Sequence, residues 1–279
     1  MPRLSVLLLV FAAAWAALPA RAQLLLSPTR VIFEGTMRAA QVDVVNTTSQ
    51  RAVYRLSLVN RRMTERGENV AADPPLPGER FLGDMVRFSP RQLVLEPGAS
   101  QVVRLSLRKP EGLQAGEYRS HLHIERVADG SDTTSVESVA GTGSSQNMQI
   151  RLTALVGAMI PVIVREGPPA VTLAVRELQL APASGSDPAA LSFALAREGN
   201  RSVYGDVVVT LVPATGGAPV EVARLSGIAV YVPNAILRLR VALQLPPGMV
   251  LDKGRLRVAF QLKPEDGARA LAEADLELR

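Results

Sequence analysis

The stretch 147–165, NMQIRLTALVGAMIPVIVR, opens with strict alternation: Met148, Ile150, Leu152 and Ala154 against Gln149, Arg151 and Thr153. A β-strand sends successive side chains to opposite faces, so this run has one apolar and one polar face. Shorter runs of the same kind, set between Pro, Gly and Asn, predict further strands over 24–33, 41–46, 53–60, 86–95, 100–108 and 117–126. The segment 64–79 is rich in Pro and charge and reads as a loop. At 165–169 (Arg-Glu-Gly-Pro-Pro) the pattern stops, and it restarts over 171–180, 191–197, 203–212, 220–225, 228–231, 236–245, 255–262 and 271–278. No stretch sustains a helical period. The fold class expected is all-β: two immunoglobulin-like β-sandwich domains, 23–165 and 166–279, joined by a short linker.

Directly before 147–165 lies 128–146, a polar run rich in Gly and Ser. Alternation alone fits the core face of an internal strand. A polar run leading into a row of large apolar side chains instead suggests a sheet edge, and proteins normally blunt such edges because they invite pairing with another chain. If the edge is open, donating the strand to a partner is the natural function, with 128–146 ordering on binding.

Residues 1–22 resemble a cleaved export signal. Arg3 gives a positive start, 4–17 are apolar, and Ala20-Arg21-Ala22 is a small-x-small site, so cleavage is expected after Ala22. No later segment is long and apolar enough to span a bilayer as a helix, and no membrane insertion is expected. Cleavage leaves 257 residues, enough for two cores, and lowers the formal charge from +5 to +3 as Arg3 and Arg21 leave. The basic residues are scattered and almost all Arg, with Lys only at 109, 253 and 263, so nucleic acid is not an expected partner. There is no Cys, so an exported chain must hold its cores without disulfides.

Candidate chemistry is sparse. There is no GxSxG elbow and no GxxxxGK[ST] phosphate loop, so neither catalysis nor a cofactor is expected. His121 and His123 are the only histidines. They share a strand face, but no third ligand has the usual spacing, so no metal site is assigned. They are expected on a solvated face, with Leu122 and Ile124 inward.

Three stretches resemble the periplasmic chaperones that assemble pili and fimbriae: Ser27 to Gly35 (SPTRVIFEG), Leu95 to Ala99 with Val103 to Ser106, and Gly116 to Ile124 (GEYRSHLHI). The resemblance covers most of 24–165 and is weak beyond it. It implies two sandwiches joined at an angle, in the periplasm. The last strand of the first would be lent to a pilin or fimbrial subunit, which is then passed to an outer-membrane usher. Met148, Ile150, Leu152 and Ala154 would fill the subunit groove. Arg30 matches the arginine of a basic pair that holds the subunit's C-terminal carboxylate. The lysine of that pair falls at Gly157 or Pro161, so the pair is incomplete here. Arg165, Glu117 and Asp252 match an interdomain salt-bridge cluster. A self-capping dimer of the free protein is a further implication. The alternative is a structural or adhesive surface protein of immunoglobulin-like domains.

Overall fold

A computed structural model of the chain describes residues 24–127, 157–214, 216–264, 267 and 269–278. The first half forms β1 (Leu24–Ser27), β2 (Val31–Phe33), β3 (Ala39–Asn46), β4 (Ala52–Val59), β5 (Arg61–Met63), β6 (Asn69–Ala71), β7 (Val86–Ser89), β8 (Gln92–Leu95), β9 (Ser100–Leu107), β10 (Gly116–Val127) and β11 (Ala158–Glu166). The order β1-β3-β9-β7 makes one sheet and β2-β11-β10-β4-β8 the other. This is an immunoglobulin-like sandwich, with the first strand divided between the two sheets.

The divisions follow from proline. The strand expected over 24–33 breaks after Ser27, because Pro28 brings no N–H to a ladder, and the chain crosses to the second sheet as β2. Pro90 divides the strand expected over 86–95 into β7 and β8 in the same way. The segment expected to be a loop, 64–79, instead carries β6, paired with β5 as a small hairpin. Its charge and proline disguise a three-residue ladder too short to show a period.

Between the sheets, alternate residues of facing strands form one apolar cluster: Val42 and Val44 of β3, Val103 and Leu105 of β9, Leu122 and Ile124 of β10, and Val162 and Val164 of β11. Each such side chain taken from water stabilises the fold by roughly 1.5–3 kcal/mol. Asn46 is wholly buried at the end of β3 and holds the turn together. Its Nδ2 donates to the carbonyls of Gln50 (2.8 Å) and Leu95 (3.0 Å), while its Oδ1 accepts from Thr48 N (3.1 Å).

The second half forms β12 (Val171–Ala181), β13 (Ala190–Gly199), β14 (Val203–Val212), β15 (Val220–Val230), β16 (Ile236–Ala242), β17 (Gly254–Leu262) and β18 (Ala270–Leu278). Sheet β12-β13-β16 packs on sheet β15-β14-β17-β18. The two strands expected over 220–231 are one, β15, whose register shifts twice against β14. The first of these shifts absorbs Gly227, which separates the two expected strands.

The two cores are not independent. Ile163 of β11 and Met63 of β5 belong to the apolar cluster of the second sandwich, and Ile32 of β2 packs against it. Gly167, which follows β11, has φ of +75°, and a Cβ there would lie 2.7 Å from that of Ala115, so only glycine fits this turn. Asn200 ties the connection down, accepting from Ala170 N (3.0 Å) and donating to the Pro168 carbonyl (3.1 Å).

Ile163 is fully buried between the sandwiches. Ile163→Ala is therefore expected to cost about 2–5 kcal/mol in urea denaturation. It should also lower the unfolding midpoint of the second sandwich, followed by hydrogen exchange in β13 and β14. A loss confined to 24–166 would contradict the shared core.

Candidate functional site

The site is built on the outer face of β10 and β11. The two run antiparallel in register, with Glu117 opposite Arg165, Arg119 opposite Ile163, His121 opposite Pro161 and His123 opposite Met159. Period-2 alternation puts these eight residues on one face, away from the core of the first sandwich. This face turns toward the second sandwich. Its titratable residues would be solvated on an isolated sheet, and here several are buried.

At one end Glu117, only 3% exposed, accepts from both sandwiches. Arg165 Nε donates to its Oε2 at 3.2 Å, Ser202 N donates to the same oxygen at 3.1 Å, and the Ser202 hydroxyl donates to Oε1. Val232 N donates to Ser202 Oγ (3.0 Å), and Arg165 Nη2 to the Ser202 carbonyl (3.4 Å). Glu34, just after β2, accepts from Arg165 Nη1 (3.4 Å) and from Arg201 Nη1. The hydrogen bond from Arg201 is the main reason the Glu34 carboxyl is held below the usual carboxylate range. Lys109 adds a pair with Glu166 at 2.7 Å.

The structure thus brings Arg165 and Glu117 together. Asp252 is exposed in the turn before β17, beside Val250 and Lys253, and no ion pair among the described residues joins it to them. Glu34 and Ser202 fill the roles a second acid would have. The sequence shows Ser202 only within Asn200-Arg201-Ser202, which reads as a glycosylation acceptor; its proximity to Glu117 comes from the packing of the two sandwiches.

Arg30 lies at the same junction. Its guanidinium stacks 3.6 Å from the ring centre of Tyr204 on β14. A cation on an aromatic face is favourable and holds the guanidinium flat. Arg30 Nε is buried with no hydrogen-bond partner among the described residues. Arg119 repeats the arrangement 3.9 Å from the ring of Tyr231. Burial raises the Tyr231 phenol above its ordinary range, and Arg30 and Arg119 oppose that rise. Sequence inspection does not reveal these aromatic supports, because Tyr204 and Tyr231 sit in ordinary apolar strand surroundings.

The two positions for the missing lysine differ. A Cβ at Gly157 would lie 3.0 Å from the Ile124 carbonyl oxygen, so no larger side chain fits there undisturbed. Pro161 is half-buried on the junction face opposite His121. His121 itself is 4% exposed, which corrects the expectation of a solvated histidine. Alternation identifies a face, but what covers that face is a tertiary matter.

The two edges of β11 differ. Along β10 all nine residues of β11 are paired, from Ala158 to Glu166. On the other side β2 runs parallel and pairs only Val162, Ile163 and Val164. From Ala158 to Pro161 that edge has no strand partner among the described residues. Pro161 suits an edge, having no N–H to satisfy. Met159, on the junction face of the open segment, is 39% exposed. Met148, Ile150, Leu152 and Ala154 lie outside the described residues.

No protein-family model matches the chain, and no curated protein matches it. Solved structures of similar fold include the CupB2 chaperone of Pseudomonas aeruginosa, at 12% identity and a TM-score of 0.45, covering 91% of this chain and 100% of that one. The CsuC–CsuE chaperone–tip subunit complex of Acinetobacter baumannii gives 11% identity and a TM-score of 0.44, covering 92% of this chain and 98% of that one. The SafA pilin–SafB chaperone complex of Salmonella enterica gives 15% and 0.42, with 91% and 96% covered. Likenesses at this level do not say what this chain binds.

His121 has a direct consequence for stability. Burial, and then the charges of Arg119 and Arg61, lower its pKa from 6.5 to about 4. Below pH 6.5 the unfolded chain takes up a proton that the folded chain refuses. Stability is therefore full above pH 6.5 and is lost as pH falls toward 4, by an amount on the order of 3 kcal/mol. Urea denaturation of the parent and of His121→Gln at pH 7.5 and 4.5 is expected to show a smaller pH loss in the variant. Equal losses would mean that His121 is protonated in the fold.

Proposed function

We infer that this chain is a periplasmic chaperone for pilus or fimbrial subunits, acting by strand donation. The observation that carries this reading is the half-open strand. β11 is clamped on both sides over Val162 to Val164 and on one side only from Ala158 to Pro161. Its sequence continues backwards into the alternating row Met148, Ile150, Leu152 and Ala154. A strand edge left unpaired is an aggregation hazard unless it has a designated partner. A subunit whose own sandwich lacks a strand is such a partner. Backbone hydrogen bonds would supply affinity and the alternate side chains specificity.

On this reading residues 23–165 are the subunit-binding domain, 166–279 are the second domain, and 1–22 are removed on export. Arg30 receives the subunit's C-terminal carboxylate. Tyr204 holds its guanidinium flat, which suits the two parallel hydrogen bonds by which arginine grips a carboxylate. Glu117, Arg165, Ser202 and Glu34 fix the cleft in which this happens. The loaded subunit passes to an outer-membrane usher, and the free protein covers its own edge by dimerising.

The test is co-expression in the periplasm with a fimbrial subunit. Ile150→Asp and Leu152→Asp each remove an apolar anchor worth roughly 1.5–3 kcal/mol, so subunit recovered with the chaperone should fall about 10- to 100-fold. Thermal melting of the free variants should stay at the parent value. Variants that capture as much subunit as the parent would contradict strand donation.

A further inference from the structure

The start of β2 fixes where an incoming strand must stop. β2 pairs Val31 with Val162 in parallel register, so Arg30 lies level with Pro161, at the boundary between the doubly paired part of β11 and its open edge. Ile32 and Ile163 share the face turned to the second sandwich, and period 2 puts Arg30 and Pro161 on that face too. A chain laid along the open edge ends against β2, beside the Arg30 guanidinium. Arg30 Nε is sealed without a partner. Neither Nη group is sealed, and none of the three nitrogens hydrogen-bonds among the described residues. Pro161 brings no N–H to this point.

The second sandwich faces this point with two tyrosines. β14 and β15 pair Val203 with Val230 and Tyr204 with Ala229. Tyr231, the residue after β15, therefore falls opposite Ser202, and Val232 N holds the chain there by donating to Ser202 Oγ at 3.0 Å. Alternation puts Ser202, Tyr204 and Tyr231 on one face. The two tyrosines are diagonal cross-strand neighbours, about 7–8 Å apart. Arg30 lies over the Tyr204 ring at 3.6 Å and Arg119 over the Tyr231 ring at 3.9 Å.

The rings are covered, but the Tyr231 hydroxyl is unused. Tyr231 is 7% exposed. Its hydroxyl makes no hydrogen bond among the described residues and, unlike that of Tyr54, is not sealed from solvent. A buried tyrosine ordinarily finds a partner for its O–H. Arg30 acts on this phenol more strongly than Arg119 does, although Arg119 sits on the ring itself, so the hydroxyl is turned toward Arg30. Burial raises the phenol above its ordinary range, so it stays protonated and able to donate at neutral pH.

We propose that the Tyr231 hydroxyl is the second group, beside the Arg30 guanidinium, that binds the C-terminal carboxylate of the subunit, an inference that rests on the strand-donation reading. A carboxylate offers about four acceptor sites on its two oxygens. The Nη groups of Arg30, held flat by Tyr204, leave part of that capacity unmet. A hydroxyl donating to a carboxylate makes a short, charge-assisted bond. Arg30 comes from the first sandwich and Tyr231 from the second, so the bound carboxylate bridges both. A chain that ends in an amide, or runs on past this point, does not satisfy both donors, and that makes the pair selective for a free chain end.

The test is titration of the mature chain with a synthetic peptide copying the C-terminal strand of a fimbrial subunit, as free acid and as C-terminal amide. The parent should prefer the acid. Tyr231→Phe keeps the ring under Arg119 and should weaken binding of the acid about 10- to 100-fold, and of the amide far less, at the parent melting temperature. Equal weakening of both forms, or none of the acid, would overturn the proposal. Acid and amide bound equally by the parent, with Leu152→Asp still abolishing binding, would overturn it and leave strand donation standing. Binding of neither form by the parent would overturn both. Should Tyr231→Phe not fold, a crystal structure of the parent with the acid peptide decides. A carboxylate oxygen within about 3 Å of the Tyr231 hydroxyl is expected, and a carboxylate held by Arg30 alone would overturn the proposal.

Discussion

Glu117 is a carboxylate buried between two sandwiches, and the geometry of the cleft depends on how it is satisfied. Taking a charge out of water costs several kcal/mol, recovered only when every acceptor site is met in good geometry. Arg165 comes from β11 of the first sandwich; the amide and hydroxyl of Ser202 come from the second. The carboxylate is fully satisfied only when both sandwiches hold their places. Losing one partner of such a buried pair costs roughly 3–5 kcal/mol, so the constraint is stiff. Glu34, more exposed at the rim, adds direction more than energy through its pair with Arg201.

That constraint explains how one strand combines rigidity with an open edge. The middle of β11, Val162 to Val164, is paired on both sides, packs Ile163 into the second core and leads directly into Arg165, which Glu117 holds. Moving toward Ala158, first the parallel partner and then the buried neighbours fall away. An edge presented from a rigid base loses little conformational entropy when it pairs, which favours binding through backbone hydrogen bonds. Arg30 and Arg119, each stacked on a tyrosine of the second sandwich, line the same wall.

Much of this is legible in the sequence. Period-2 patterns with proline and glycine punctuation indicate two all-β units, and most strands fall where alternation places them. The exceptions have local causes: Pro28 and Pro90 split strands, register shifts fused two strands into β15, and the β5–β6 ladder is too short for a period to appear. The site was less legible. Glu117 and Arg165 follow from the resemblance and do meet, whereas Asp252 does not join them. Alternation marks Glu117, Arg119 and His121 as the polar face of a strand. It cannot show that a second domain covers that face and turns solvated residues into buried ones. Ser202, Tyr204 and Tyr231 become partners only through that packing.

The central proposal is that the side of β11 turned away from β10, open over Ala158 to Pro161, is taken up by a subunit. Amide hydrogen exchange over 147–161, in the free protein and in its complex with a fimbrial subunit, tests it most directly. Rapid exchange in the free monomer at the amides that do not face β10, slowing on binding, is the predicted result. Protection of the amides that do not face β10 in the free monomer, unchanged by the subunit, would contradict it.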